Sequence, residues 1–136
     1  MRRSDQRRDA AVALYQRDVT KRPLEELLVD AKPFTRDLAL GADEHLAEID
    51  AEIGANAHGW TIQRIAPLER AIMRIAVFEI HHRPEIPAPV SISEAVDSAK
   101  RYCGAEAPGF VNGVLSAIAR AAGQEEAVPA TEEASA

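Results

Sequence analysis

The chain has 136 residues and 46% apolar side chains, enough for one domain with a real core and too apolar for global disorder. Aromatics make up only 4% while alanine and leucine dominate, which favours packed helices over sheets. One cysteine, Cys103, excludes an internal disulfide framework, and the absence of any run of about 20 apolar residues excludes a membrane span, so the expectation is a soluble, cytoplasmic protein.

The net charge of −6 is unevenly spread. Residues 2–8 hold four arginines against Asp5, a local excess of three positive charges, whereas residues 121–136 hold Glu125, Glu126, Glu132 and Glu133 and no cation. Fields of this kind act locally, over about 8 Å at physiological salt, so overall acidity does not exclude an anionic partner.

The first predicted helix runs from Asp5 to about Thr20, with Ser4 as N-cap and a stripe of Val12, Tyr15 and Val19, flanked by Ala11 and Leu14. Arg7 and Arg8 fall in its first turns, the unfavourable end of the helix dipole for cations, which suggests a use other than helix stability. Pro23 opens a short helix with Leu24, Leu27, Leu28 and Ala31 on one face, and Lys32-Pro33 stops it. A long helix follows from Thr35 to Ala57. Leu38, Ala42, Leu46, Ile49 and Ile53 form its apolar stripe, and Asp37, Asp43, Glu44, Glu48, Asp50 and Glu52 form an acidic face for solubility or a basic partner. Gly41 inside it costs about 1 kcal/mol relative to alanine and points to a close helix crossing.

Gly59-Trp60 marks a break, followed by a short turn from Thr61 to Ile65. Pro67 opens the most apolar segment, a central helix to about His82 with Arg70 and Arg74 on its polar side. Three prolines between 84 and 89 form a rigid connector. Ser91-Ile92-Ser93-Glu94 reads as a capping box, Lys100 and Arg101 suit the last turn of the next helix, and Gly104 suits its stop. A last helix spans about Pro108 to Ala122, with Phe110, Val114, Ala117 and Ile118 inward and Gly123 ending it. The composition from 124 to 136 predicts an acidic disordered tail, leaving one domain over 1–123. The fold class is all-α, about seven helices in antiparallel bundles.

Catalytic chemistry has little to rest on. His81 and His82 are adjacent and point about 100° apart on a helix, so they do not form a shared metal site, and no metal or other cofactor is expected. His45 and His58 stand alone, and Cys103 has no activating neighbour in sequence. No glycine-rich phosphate loop follows a strand. The basic start has two readings: a frayed, solvated terminus, or an arginine arm whose guanidinium forks match phosphates and stack on unpaired bases. Tyr15 likewise is either a core residue with its hydroxyl at water or a stacking ring at the rim.

Four stretches together resemble the NusB family of bacterial transcription antitermination factors, over about residues 2–120. They are RRSDQRRDAAVALYQ from Arg2, GWTIQRIAPLERAIMRIAVFEI from Gly59, PVSISEAVDSAKRYCG from Pro89 and FVNGVL from Phe110. The second and fourth at this spacing are specific, whereas the arginine start alone is weak. The resemblance implies two packed antiparallel three-helix bundles and no catalysis. It also implies binding to boxA-type RNA in ribosomal RNA transcripts, pairing with NusE (a small-subunit ribosomal protein), and a place in the antitermination complex of RNA polymerase.

Carried over by position, Arg2, Arg3 and Arg7 match the family's RNA-contacting arginines, and Tyr15 matches a tyrosine against the RNA. Glu79 matches a glutamate of the RNA and partner surface, and Phe110 and Asn112 belong to the signature near that surface. Two positions depart. Arg8 stands where an acidic residue is common, and Ser116 stands where many members carry an aspartate beside the RNA path; both changes favour an anionic ligand. The same helical fold also precedes a methyltransferase domain in some ribosomal RNA cytosine methyltransferases. Here the sequence ends 16 residues after Arg120, so methyl transfer is not expected. The remaining alternative is a homodimer that masks the RNA surface.

Overall fold

The computed structural model describes residues 1–123, and the tail expected at 124–136 lies outside the described residues. Seven α-helices form the described chain: α1 (Arg3–Thr20), α2 (Leu24–Leu27), α3 (Pro33–Glu44), α4 (Leu46–Asn56), α5 (Pro67–His82), α6 (Ala88–Tyr102) and α7 (Ala107–Ala121). A 3-10 turn at Ile62–Arg64 precedes α5, and there is no strand among the described residues. None of these helices is long and apolar enough to cross a membrane.

Helix α5 organises the rest. Every residue from Ala71 to Ile80 is buried, because α5 packs against α1, α3, α4, α6 and α7. Helices α1 and α3 pack on it and on each other as one bundle; α6 and α7 do so as the second, with α4 lying against α5 and α7. Because α5 belongs to both bundles, the core is continuous through Leu14, Leu38, Met73, Val77, Leu115 and Ile118.

The buried face of α1 differs from the predicted stripe. It consists of Ala10, Ala11, Ala13 and Leu14, while Val19 is 53% exposed. Alanines give a weak hydrophobic signal, but their small side chains let α1 lie close against α5. Ser4 is not a cap either: α1 begins at Arg3, and the Ser4 hydroxyl donates to Glu94 Oε2 of α6 at 2.9 Å.

The long helix predicted over 35–57 is two helices, broken at His45 (φ −106°, ψ 24°). No glycine or proline marks this break. The His45 ring instead stacks on His82 at the end of α5, with centroids 4.0 Å apart, so tertiary packing overrides the helical pattern. Gly41, one turn earlier, has the predicted role. A Cβ there would sit 2.2 Å from Phe78 Cζ, so α3 crosses α5 where no side chain fits. Gly41→Ala is expected to destabilise the fold by about 1–3 kcal/mol through overpacking, net of the ~1 kcal/mol that alanine contributes to a helix. Urea denaturation measures this, and a stabilised variant would show that Phe78 yields freely.

Charges predicted on solvated faces are instead paired across helices. Arg74 is buried and grips Asp50 with two hydrogen bonds, Nε to Oδ1 at 2.7 Å and Nη2 to Oδ2 at 2.8 Å. Its Nη1 donates to Asp18 Oδ2 at 2.7 Å, and Arg70 reaches the same oxygen at 3.3 Å. Arg17 links Asp18 to Asp43. Further along the acidic face, Asp37 pairs with Arg83 and Glu52 with His81. Most of that face is therefore neutralised internally, which leaves Glu44 and Glu48 as its exposed carboxylates.

The capping box is also reassigned. Helix α6 starts at Ala88, with Pro87 as N-cap and Pro89 in the first turn, where its missing N–H costs nothing. Ser91 and Glu94 lie inside the helix and bond to other helices: Ser91 Oγ donates to Glu79, and Glu94 accepts from Ser4. Gly104 is not in the left-handed region, whereas Gly123 is, at φ 76°, and ends α7 as predicted.

Candidate nucleic-acid interface

No side chain caps the first turn of α1, so its N–H groups and the positive end of the helix dipole face outward beside Arg2 and Arg3. The Arg2 side chain is 82% exposed and lies 3.9 Å from Asp5. The exposed Arg3 guanidinium stands over the Phe34 ring at 4.1 Å from its centroid, a cation–π contact that holds the fork flat. A helix N-terminus beside two accessible guanidiniums suits an anion such as phosphate.

The other two arginines turn inward. Arg7 and Arg8 are each 9% exposed. Arg7 Nε donates to Glu79 Oε2 at 2.7 Å, its Nη1 lies 3.8 Å from Glu94 Oε2, and its head is 5.3 Å from the Phe34 centroid. Arg8 pairs with Asp5. Four arginines against three carboxylates, Asp5, Glu79 and Glu94, leave one excess positive charge among these seven side chains. The local field is weaker than the residue run alone implies.

Glu79 is corrected from a surface to an interior residue: it is 0% exposed. A buried carboxylate is costly unless its oxygens are bonded, and both are. Arg7 serves Oε2, and Ser91 donates to Oε1 at 2.5 Å. Glu79 thereby joins α5 to α1 and α6 and sets where the first turn of α1 points. Tyr15 is half-buried against the core, about 20 Å along α1 from Arg2.

The α7 residues divide between two faces. Phe110 packs half-buried against Trp60, edge-on at 6.4 Å, in a hollow where Arg64 lies 5.7 Å from the Trp60 ring centroid. Asn112 is exposed and Ser116 half-buried one turn later, with Ser116 Oγ 3.5 Å from Asn112 Oδ1. Both line a groove between α6 and α7 together with Lys100 and Arg120. Helix α6 runs between the two regions: Glu94 touches Ser4 of α1, while Lys100 and Asp97 border the α7 groove. Phe110 is outside that groove. Phe34, Glu94 and Lys100 lie beside these residues, although the sequence marks Glu94 only as part of a cap and none of the three as a candidate for binding. An aromatic leading into α3 was the only signal for Phe34, and Lys100 reads simply as a cation suited to a helix end. Cys103 is half-buried, and burial, then the charge of Glu69, pushes its thiol upward, which disfavours the nucleophilic thiolate.

A family model described as the NusB family matches residues 4–120, nearly the whole described chain. The chain belongs to the NusB family. The transcription antitermination protein NusB of Geobacillus kaustophilus (strain HTA426) is 40% identical over 124 residues, covering 87% of this chain and 95% of that protein. Among solved structures, NusB of T. maritima superposes with a TM-score of 0.82 at 29% identity, covering 88% of this chain and 92% of that one. A chain from the structure of antitermination factors NusB and NusE in complex with dsRNA superposes at 0.76 with 29% identity, covering 89% and 99%. The two-bundle NusB architecture expected from the resemblance is therefore the fold of this chain, with α5 as the shared element.

Proposed function

We propose that this chain is a transcription antitermination factor that binds boxA-type RNA of ribosomal RNA transcripts together with NusE, within the antitermination complex of RNA polymerase. The role is one of binding, with no catalytic step. The observation that carries this reading is similarity over most of the chain to NusB proteins, including one solved with NusE and dsRNA, combined with two accessible arginines at the uncapped start of α1. In this reading Arg2 and Arg3 meet phosphates, and Asn112 and Ser116 offer polar contacts in the neighbouring groove. Arg7 and Glu79 hold α1 in place from inside, Arg8 is tied to Asp5 within α1, and Tyr15 and Phe110 support the surface from their half-buried positions.

Counterion release then supplies much of the affinity, and contacts to unpaired bases supply the choice of sequence. Fluorescence anisotropy with a boxA oligonucleotide and a scrambled control, titrated with salt with and without NusE, tests this. Tighter binding to boxA than to the control is expected, and equal binding of both would refute it. Arg3→Ala is expected to weaken binding and to reduce the salt slope by about 1, with little change in melting temperature. An unchanged slope and affinity would remove Arg3 from the interface.

A further inference from the structure

Read along the chain, the histidines offer no metal site, but the fold assembles one set of donors from separate elements. His45 stands at the break between α3 and α4, Glu48 lies one turn further on, and His82 is the last residue of α5. One ligand atom from each lies within 4.8 Å of the others. The two imidazoles stack with centroids 4.0 Å apart and planes 19° apart, and His45 Nδ1 is 3.5 Å from Glu48 Oε1. The Phe78 ring closes the inner side, 5.2 Å from His82, while the Glu48 side chain is 76% exposed and leaves a path from solvent.

We propose that His45, Glu48 and His82 form a binding site for a divalent transition-metal ion of the zinc class. Two imidazole nitrogens and a carboxylate oxygen are the donor set such borderline cations accept, and three protein ligands leave a fourth position for water. Calcium and magnesium, which want oxygen shells, fit poorly. The surroundings are net favourable for a cation. Glu44 stands beside the cluster, Glu52 is shared with His81, and the two guanidiniums lining the same hollow are both engaged, Arg83 by Asp37 and Arg36 by Glu25 and the Leu28 carbonyl. Near-parallel rings direct their in-plane lone pairs side by side, so binding requires one ring to turn about its side-chain torsions. Both rings border open hollows that give them room to do so. A bound ion would clamp the α3–α4 joint to the end of α5 and stabilise the fold by an amount that grows with the logarithm of free metal above its Kd.

The alternative is a stacked imidazole pair packed on Phe78, with Glu48 nearby by accident. Titrating the full chain with Zn²⁺ against a chromophoric chelator, and with Co²⁺ followed by its visible absorption, separates the two. One equivalent bound, with a raised melting temperature, is expected. Glu48→Gln, an exposed change that leaves the core untouched, should weaken binding at least about tenfold, the lower end of what losing even an outer-shell partner costs a metal site. His45→Ala combined with His82→Ala should abolish it, while His58→Ala and His81→Ala should bind as the parent does. No stoichiometric binding by the parent, parent-like affinity in Glu48→Gln, or a loss that follows His81→Ala would each overturn the proposal.

Discussion

Arg74→Ala is expected to lower the unfolding free energy by about 3–5 kcal/mol, because it takes both hydrogen bonds from Asp50 and the shortest from Asp18, which keeps its longer contacts to Arg70 and Arg17. On a chain of this size that is a fall of roughly 10–20 °C in melting temperature. Arg74 is 5% exposed and is the common partner of Asp18 at the end of α1 and Asp50 in α4. Removing it leaves two carboxylates facing one another beside a cavity. Asp18 and Asp50 keep some access to water, which places the loss toward the lower end of the range. Arg74→Lys retains the charge but not the planar fork, so an intermediate loss is expected. Calorimetry or urea denaturation measures all of these, and a loss under about 1 kcal/mol, the scale of an exposed pair, would mean that solvent reaches the network.

The same network sets an acid limit on stability. Burial tends to raise the Asp18 carboxyl, but the hydrogen bond and charge of Arg74, followed by those of Arg17, outweigh it and hold it below its ordinary value of 3.8. A carboxylate depressed in the folded state stabilises the fold above its unfolded pKa, and that contribution disappears as pH falls through the folded value. This contribution to the melting temperature should therefore be lost as pH falls below about 4. Asp18→Asn should lower the plateau at neutral pH and flatten that acid limb; an unchanged limb would show that other carboxylates dominate it.

Elements bounded by proline or glycine are legible in the sequence because those residues act on their own backbone. Pro67 opens α5, Gly123 stops α7, and the Gly59-Trp60 break is where expected, with Gly59 at φ 82°. Gly41 is legible as a close crossing for the same reason, since lacking a side chain is a local property. What depends on partners from distant positions is not legible. The break at His45 arises from a ring 37 positions further along the chain, and Ser91-x-x-Glu94 has the form of a cap while serving Glu79 and Ser4. The arginine run shows the same limit most clearly. Composition treats Arg2, Arg3, Arg7 and Arg8 alike. Helical geometry sends the first two to solvent and the last two inward, to partners such as Glu79, 72 residues away.

That division makes Glu79 the sharpest test of how the interface is built. Glu79→Ala leaves the Arg7 guanidinium, only 10% exposed, without its main partner, and leaves Ser91 without its acceptor. A destabilisation of about 3–5 kcal/mol is expected from an uncompensated buried charge. RNA affinity should fall with it, because Arg7 and Ser4 are what fix the first turn of α1, and with it Arg2 and Arg3, against α5 and α6. The salt slope should nonetheless stay near the parent value, since neither Glu79 nor Arg7 faces a phosphate in this arrangement. Glu79→Gln keeps the shape and one acceptor oxygen for Arg7, with its amide free to donate to Ser91, so it should recover part of both stability and affinity. A slope reduced by about 1 in Glu79→Ala would instead mean that Arg7 leaves its buried site and touches RNA directly. Stability loss without any change in RNA binding would mean that the direction of α1 does not govern the interface at all.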